Sequence, residues 1–229
     1  MRDKNIIWLY LFLGATLVDL AFLIEGNQAS RFFSKPLILL GLIGYFFFIT
    51  RPISSTLLTK SILGALIFSW IGDVLLLWPN LFVYGLGSFF LAHVCYIIGF
   101  KLAQKQTTRL DQVNFVRSFF FNLPIYLAAA FVFYLINPNL GILKIPVIGY
   151  ILVIVSMVAT ARDRFKKCIP ASFWQVFLGS ILFLISDGVL AFDKFYQPFP
   201  EAGILIMGTY TTAQLLIVMG IRSYLIGAK

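Results

Sequence analysis

Charge is what this chain has least of. Only 12% of its 229 residues are Asp, Glu, Lys or Arg, while 60% are hydrophobic, and the mean hydropathy is +0.94. A soluble domain is about half apolar and roughly a quarter charged, so that class is excluded. Histidine occurs once, at His93, and cysteine twice, at Cys95 and Cys168. Cys95 lies in an apolar run and Cys168 in a basic loop, which argues against a disulfide, and Cys and His alone cannot furnish a zinc site. The formal net charge of +9 invites a nucleic-acid reading. However, the cations sit in short loops between apolar runs, where membrane topology accounts for them more simply. No nucleic-acid partner is expected.

What remains is apolar sequence in lengths suited to a bilayer, which takes about 20 helical residues to cross. The runs fall at about 6–24, 36–50, 61–77, 81–100, 118–136, 145–161, 173–192 and 202–225. The expectation is an all-α polytopic membrane protein, residues 1–229 forming one integral membrane domain of eight transmembrane helices. The first run is too long for a signal-peptide core, contains Asp19 and lacks a small-residue cleavage site, so it reads as a retained span. Pro36 is expected at the first turn of the second span, where its missing N–H is harmless.

Eight spans bring both termini to one face. Fourteen of the 18 cations then fall on that face, leaving Arg31, Lys35, Lys144 and Lys194 on the other. This imbalance predicts cytoplasmic termini, in a bacterial inner membrane or a membrane of the endoplasmic reticulum type. Leu63-Gly64-x-x-x-Phe68 before Asp73 faintly echoes Leu178-Gly179-x-x-x-Phe183 before Asp187. A parallel duplication of four spans and shared membrane composition both account for the echo.

The polar residues inside the spans are few and gather toward the face opposite the termini. Asp73 lies a turn or two from that end of span three, with Asp187 at similar depth in span seven and Asp19 in span one. His93, Tyr150 and Tyr210 are somewhat deeper and Gln214 deeper again. Ser69 and Asp73 share a helix face at i, i+4, as do Tyr210 and Gln214. Such stripes also arise merely to hydrogen-bond helices together, and for Ser, Tyr and Gln that reading is at least as good. Two carboxylates are expensive glue in hydrocarbon. Paired acids suit acid–base chemistry, one carrying a proton as donor and the other ionised as base. A metal held by Asp73, Asp187 and His93 is the weaker reading, because zinc sites use more histidine or cysteine; no metal or cofactor is expected. For Asp19 the alternatives are a pairing with Lys35 and a reach to the interface.

Together, Gly72-Asp73-Val74-Leu75-Leu76 and Gly85-Leu86-Gly87-Ser88-Phe89-Phe90-Leu91-Ala92-His93-x-x-Tyr96 form a specific block. So do Lys35-Pro36, Tyr150 with Met157, the run Phe183-Leu184-Ile185-Ser186-Asp187 through Lys194-Phe195, and Tyr210-x-x-Ala213-Gln214. This set resembles the YhhN family, which includes the mammalian TMEM86 lysoplasmalogenases. The resemblance implies a membrane hydrolase acting on lysoplasmalogen, cleaving its vinyl ether bond to a fatty aldehyde and a glycerophospho-base. Vinyl ether hydrolysis needs a proton donor and a carboxylate to steady the cation and activate water. Asp73 and Asp187 are the catalytic candidates, in either order. His93, Tyr150, Tyr210, Gln214, Ser69 and Asp19 are supporting candidates. Lys35 is the candidate for the substrate head group, or else an interfacial anchor. The expected partners are a lysophospholipid substrate and membrane lipids. The rival from another class is a proton- or ion-coupled lipid or small-molecule transporter that uses the same carboxylates as a relay. An intramembrane aspartyl protease fits less well, because position 70 is Trp where Gly-x-Gly-Asp needs glycine.

Overall fold

The structure, a computed structural model, describes residues 2–51, 56–104 and 115–227. Eight α-helices account for most of them: α1 Arg2–Ile24, α2 Gln28–Thr50, α3 Leu57–Leu75, α4 Phe82–Leu102, α5 Phe115–Ile136, α6 Lys144–Arg162, α7 Pro170–Phe195 and α8 Ala202–Gly227. Each contains a segment long and apolar enough to cross a membrane, and no strand occurs among the described residues. Helices are the expected solution in hydrocarbon, because every backbone N–H and C=O is satisfied within the segment. Residues 52–55, and 105–114 of the basic connection after α4, lie outside the described residues.

The sequence places Pro36 at the start of the second span, but α2 begins eight residues earlier, at Gln28, and carries Pro36 inside it. A local cap explains the early start. Gly26 takes φ +70, a left-handed turn that suits glycine, and the Asn27 side chain accepts a hydrogen bond from the Ser30 N–H at 3.1 Å. Membrane helices tolerate an internal proline, and beside it Trp70 Nε1 of α3 donates to the Pro36 carbonyl at 3.0 Å, tying α3 to α2. The longer helix puts Arg31 and Lys35 on one face, at i and i+4. Similarly, Thr56 caps α3 by accepting from the Thr59 N–H, and Pro170 occupies the first turn of α7.

Six helices close a ring. The sequence of neighbours runs α2, α3, α4, α6, α7, α8 and back to α2, while α1 packs outside on α2 and α8, and α5 outside on α6 and α7. The most extensive interfaces join α7 to α8, α3 to α4, and α1 to α2. Small residues allow close approach there: a Cβ on Gly179 would sit 2.9 Å from the Ala213 carbonyl oxygen, and one on Gly72 would sit 2.6 Å from the Phe89 ring. Two serines tie neighbouring helices at matching places. Ser88 of α4 donates to the Phe68 carbonyl of α3 at 2.6 Å, and Ser186 of α7 donates to the Ile206 carbonyl of α8 at 3.0 Å. At the terminal face, Arg164 is fully buried rather than lipid-facing. It donates to the Ala103 carbonyl at 3.1 Å and the Ser172 hydroxyl at 2.7 Å, pinning the end of α4 to the start of α7.

Candidate active site

Two linked clusters in the interior draw a polar side chain from each of the six ring helices: Lys35 from α2, Asp73 from α3, His93 from α4, Tyr150 from α6, Asp187 from α7 and Tyr210 from α8. One cluster surrounds each aspartate. Tyr210 Oη donates to Asp73 Oδ2 at 2.8 Å, and Lys35 Nζ lies 4.0 Å from Asp73 Oδ1. Tyr150 Oη donates to Asp187 Oδ2 at 2.5 Å, and His93 Nε2 lies 3.4 Å from that oxygen and 3.0 Å from the Tyr150 hydroxyl. Both contacts of Asp187 land on Oδ2, and no described residue hydrogen-bonds its Oδ1. The clusters correspond under a shift of four helices, each acid being served by the preceding helix and by the last helix of the opposite half. That correspondence follows the four-span echo seen in the sequence.

The residues correspond, but the chemistry does not. Asp73 is almost fully buried and its nearest cation is a lysine on its own cavity wall. Asp187 keeps 15% of its side chain exposed and rests against aromatic donors. Ring contacts from Phe183 to His93, and from Phe89 and Phe183 to Tyr210, hold these donors in place.

Two cavities meet at this point. The polar one, about 240 Å³, has Asp73, Asp187, Tyr210, Arg31, Lys35 and Lys194 among its lining. The apolar one, about 470 Å³, lies among α4, α5, α6 and α7, and Asp187 is the one charged side chain among its described lining residues. Leu76, Phe82, Phe89, Asp187 and Leu190 belong to both walls. A volume of 470 Å³ falls within the 300–1,000 Å³ typical of small-molecule sites.

The remaining expected site residues lie elsewhere. Asp19 is fully buried and is bound by Arg31, with Nε–Oδ1 and Nη2–Oδ2 both at 3.3 Å, and by the Ser34 hydroxyl at 2.7 Å. Its salt-bridge partner is thus Arg31, not Lys35 and not the interface: the cap at Asn27 turns Arg31 and Ser34 toward α1. Gln214 accepts a hydrogen bond from Tyr96, and Ser69 is buried beside that pair. These three form a layer behind Tyr210 rather than part of the cavity lining. Among the described residues, no three His, Cys, Asp or Glu side chains group to hold a metal ion.

Sequence reasoning missed Arg31 and Lys194 as cavity residues. The signal was present: of the four cations on the face opposite the termini, three line this one cavity.

Fold and site define a class, a polytopic helical membrane protein whose ring of helices encloses two inequivalent carboxylates where a polar and an apolar cavity join. The chain belongs to the YhhN family, whose profile matches residues 30–221. Among its relatives, it is 33% identical over 161 residues to the human lysoplasmalogenase TMEM86B, covering 70% of this chain and 63% of that one. It is 30% identical over 182 residues to the bovine lysoplasmalogenase TMEM86A (77% and 69%), and 32% identical over 162 residues to a Mycobacterium bovis lysoplasmalogenase (68% and 58%). The chain thus spans less than two thirds of the length of the human TMEM86B relative. No solved structure matches it.

Proposed function

We propose that this protein hydrolyses the vinyl ether bond of a lysoplasmalogen or closely related lysophospholipid by carboxylate acid–base catalysis. One observation carries the reading: Asp187 stands in the wall shared by a polar cavity that also holds Asp73 and an apolar cavity of lipid-chain character. The names of the relatives, all lysoplasmalogenases, point the same way. In this reading the alkenyl chain lies in the apolar cavity, the glycerophosphate end lies in the polar one, and the vinyl ether spans the junction.

The roles follow from the surroundings. Asp187 borders the chain and so is nearest the outer alkene carbon. Oδ2 is engaged by Tyr150 and His93, which leaves Oδ1 to carry the acidic proton. Asp73 lines only the polar cavity, with Lys35 Nζ 4.0 Å from its Oδ1, and serves as the base. Asp187 passes its proton to the outer alkene carbon, and the electrons left behind form an oxocarbenium ion at the carbon bearing the ether oxygen. Asp73 steadies that cation and takes a proton from the water that adds to it. The hemiacetal then collapses. Asp73 returns its proton to the departing glycerol oxygen, Asp187 recovers one from the hemiacetal hydroxyl, and a fatty aldehyde is left. No covalent enzyme intermediate is needed.

The test is aldehyde release from lysoplasmenylcholine in deuterated water by purified protein in mixed micelles, with the aldehyde trapped by reduction. The expected product carries one deuterium on the carbon next to the former carbonyl. Aldehyde lacking that deuterium would remove the proposed step. Coupled flux without any aldehyde would favour the transporter.

A further inference from the structure

We infer that Lys194 binds the phosphodiester of the substrate at the mouth of the polar cavity and selects lipids that carry it. This rests on the hydrolase reading above and extends it to a residue outside the catalytic clusters. Arg31, Lys35 and Lys194 line the cavity, and two of these cations are already answered within the protein: Arg31 by Asp19 at 3.3 Å, and Lys35 by Asp73 at 4.0 Å. Lys194 has no acid within 4.0 Å among the described residues. The adjacent Asp193 is turned away, its Oδ1 accepting from the Phe199 N–H at 3.2 Å. Lys194 is thus the cation of this lining left to meet an anion from outside, such as a phosphodiester.

Position agrees with charge. Lys194 sits in the last turn of α7, two helical turns beyond Asp187, so it lies about 10 Å along the helix from the acid. Its Nζ rests 5.2 Å above the centre of the Phe82 ring, and Phe82 belongs to the walls of both cavities. A lipid whose ether bond lies at Asp187 would carry its phosphate toward the ammonium, with the three glycerol carbons bridging the interval. The Phe82 ring face attracts the ammonium without neutralising its charge. Trp78 and Pro79 line the same cavity.

The inference is tested by binding, which does not require turnover. Two saturated ether probes that cannot be protonated are used: 1-O-hexadecyl-glycerophosphocholine and the phosphate-free 1-O-hexadecyl-glycerol. Affinities are measured for the wild-type protein in nanodiscs and for Lys194→Ala, Lys194→Arg and Lys144→Ala. Lys144 begins α6 on the same face but does not line the cavity. The wild-type protein should prefer the phosphodiester by about tenfold or more, the scale of one charge-assisted contact. Lys194→Ala should lose that preference while binding hexadecyl-glycerol normally, Lys194→Arg should retain it, and Lys144→Ala should match wild type. A preference that survives Lys194→Ala, that falls equally in Lys144→Ala, or that is absent from the wild type overturns the inference. If the preference follows Lys194 but no aldehyde is ever released, the hydrolase reading fails and the anion site stands.

Discussion

Removing the Tyr150 hydroxyl, as in Tyr150→Phe, probes the acid directly. The side chain keeps its ring, so the packing against His93 survives, while Asp187 loses the donor at 2.5 Å from Oδ2 and His93 Nε2 loses its neighbour at 3.0 Å. A hydrogen bond to a charged group contributes about 1.5–3 kcal/mol. The bond matters when Asp187 becomes a carboxylate, after its proton has left, so the loss falls on the transition state. At about 1.4 kcal/mol per decade, kcat should fall by about ten- to 150-fold with KM little changed. His93→Ala removes a second corner of the same triangle. The two losses should therefore be strongly non-additive in the double variant, with a coupling above about 0.5 kcal/mol. The assay is steady-state aldehyde release from lysoplasmenylcholine, with thermal unfolding in detergent as a check on the fold. A Tyr150→Phe enzyme within twofold of wild type, or losses that simply add, would refute the idea that Tyr150 and His93 act as one unit on Asp187.

Further outcomes concern the walls of the site. Asp19→Ala strands Arg31 as a buried, uncompensated charge and should cost about 3–5 kcal/mol of stability, read as a lowered unfolding temperature. Asp19→Leu with Arg31→Met should recover most of it, and single and double variants of equal stability would contradict the pairing. Gly188 follows Asp187 in the wall of the apolar cavity, and a Cβ there would sit 3.8 Å from Val132 Cγ2, an ordinary contact. Gly188→Ala should thus be tolerated, whereas Gly188→Leu should fill the chain site and shift turnover toward shorter alkenyl chains. Identical chain-length profiles for the two would argue that the chain lies elsewhere.

The eight helices were legible in the sequence because hydrocarbon allows so few alternatives: long apolar runs broken by Asn-Pro, Gln-Pro and basic loops leave only helices to build. The site was legible because polar residues are so scarce inside the spans. Asp73, His93, Tyr150, Asp187 and Tyr210 stood out by residue type and depth, and they do converge on the ring interior. Depth along a helix can be counted from residues, but rotation about its axis cannot when most faces are apolar. That is why Asp19 could not be matched to Arg31 in advance, and why Arg31 and Lys194 read as loop cations rather than cavity residues. Pro36 misled because the signal that starts α2 lies earlier, at Gly26 and Asn27, and a membrane helix can carry a proline inside it. The junction of the two cavities is made by five residues from the end of α3, from α4 and from α7, so it is visible only in three dimensions.

The central claim is that Asp73 and Asp187 act on one bond from one site. It is tested most directly by measuring aldehyde release from Asp73→Asn and Asp187→Asn side by side, each verified as folded by its thermal unfolding profile. Each should lose about 10²–10⁴-fold in kcat, the range for a positioned acid or base, and the double variant should be little worse than either alone. Wild-type turnover in either folded variant would contradict it.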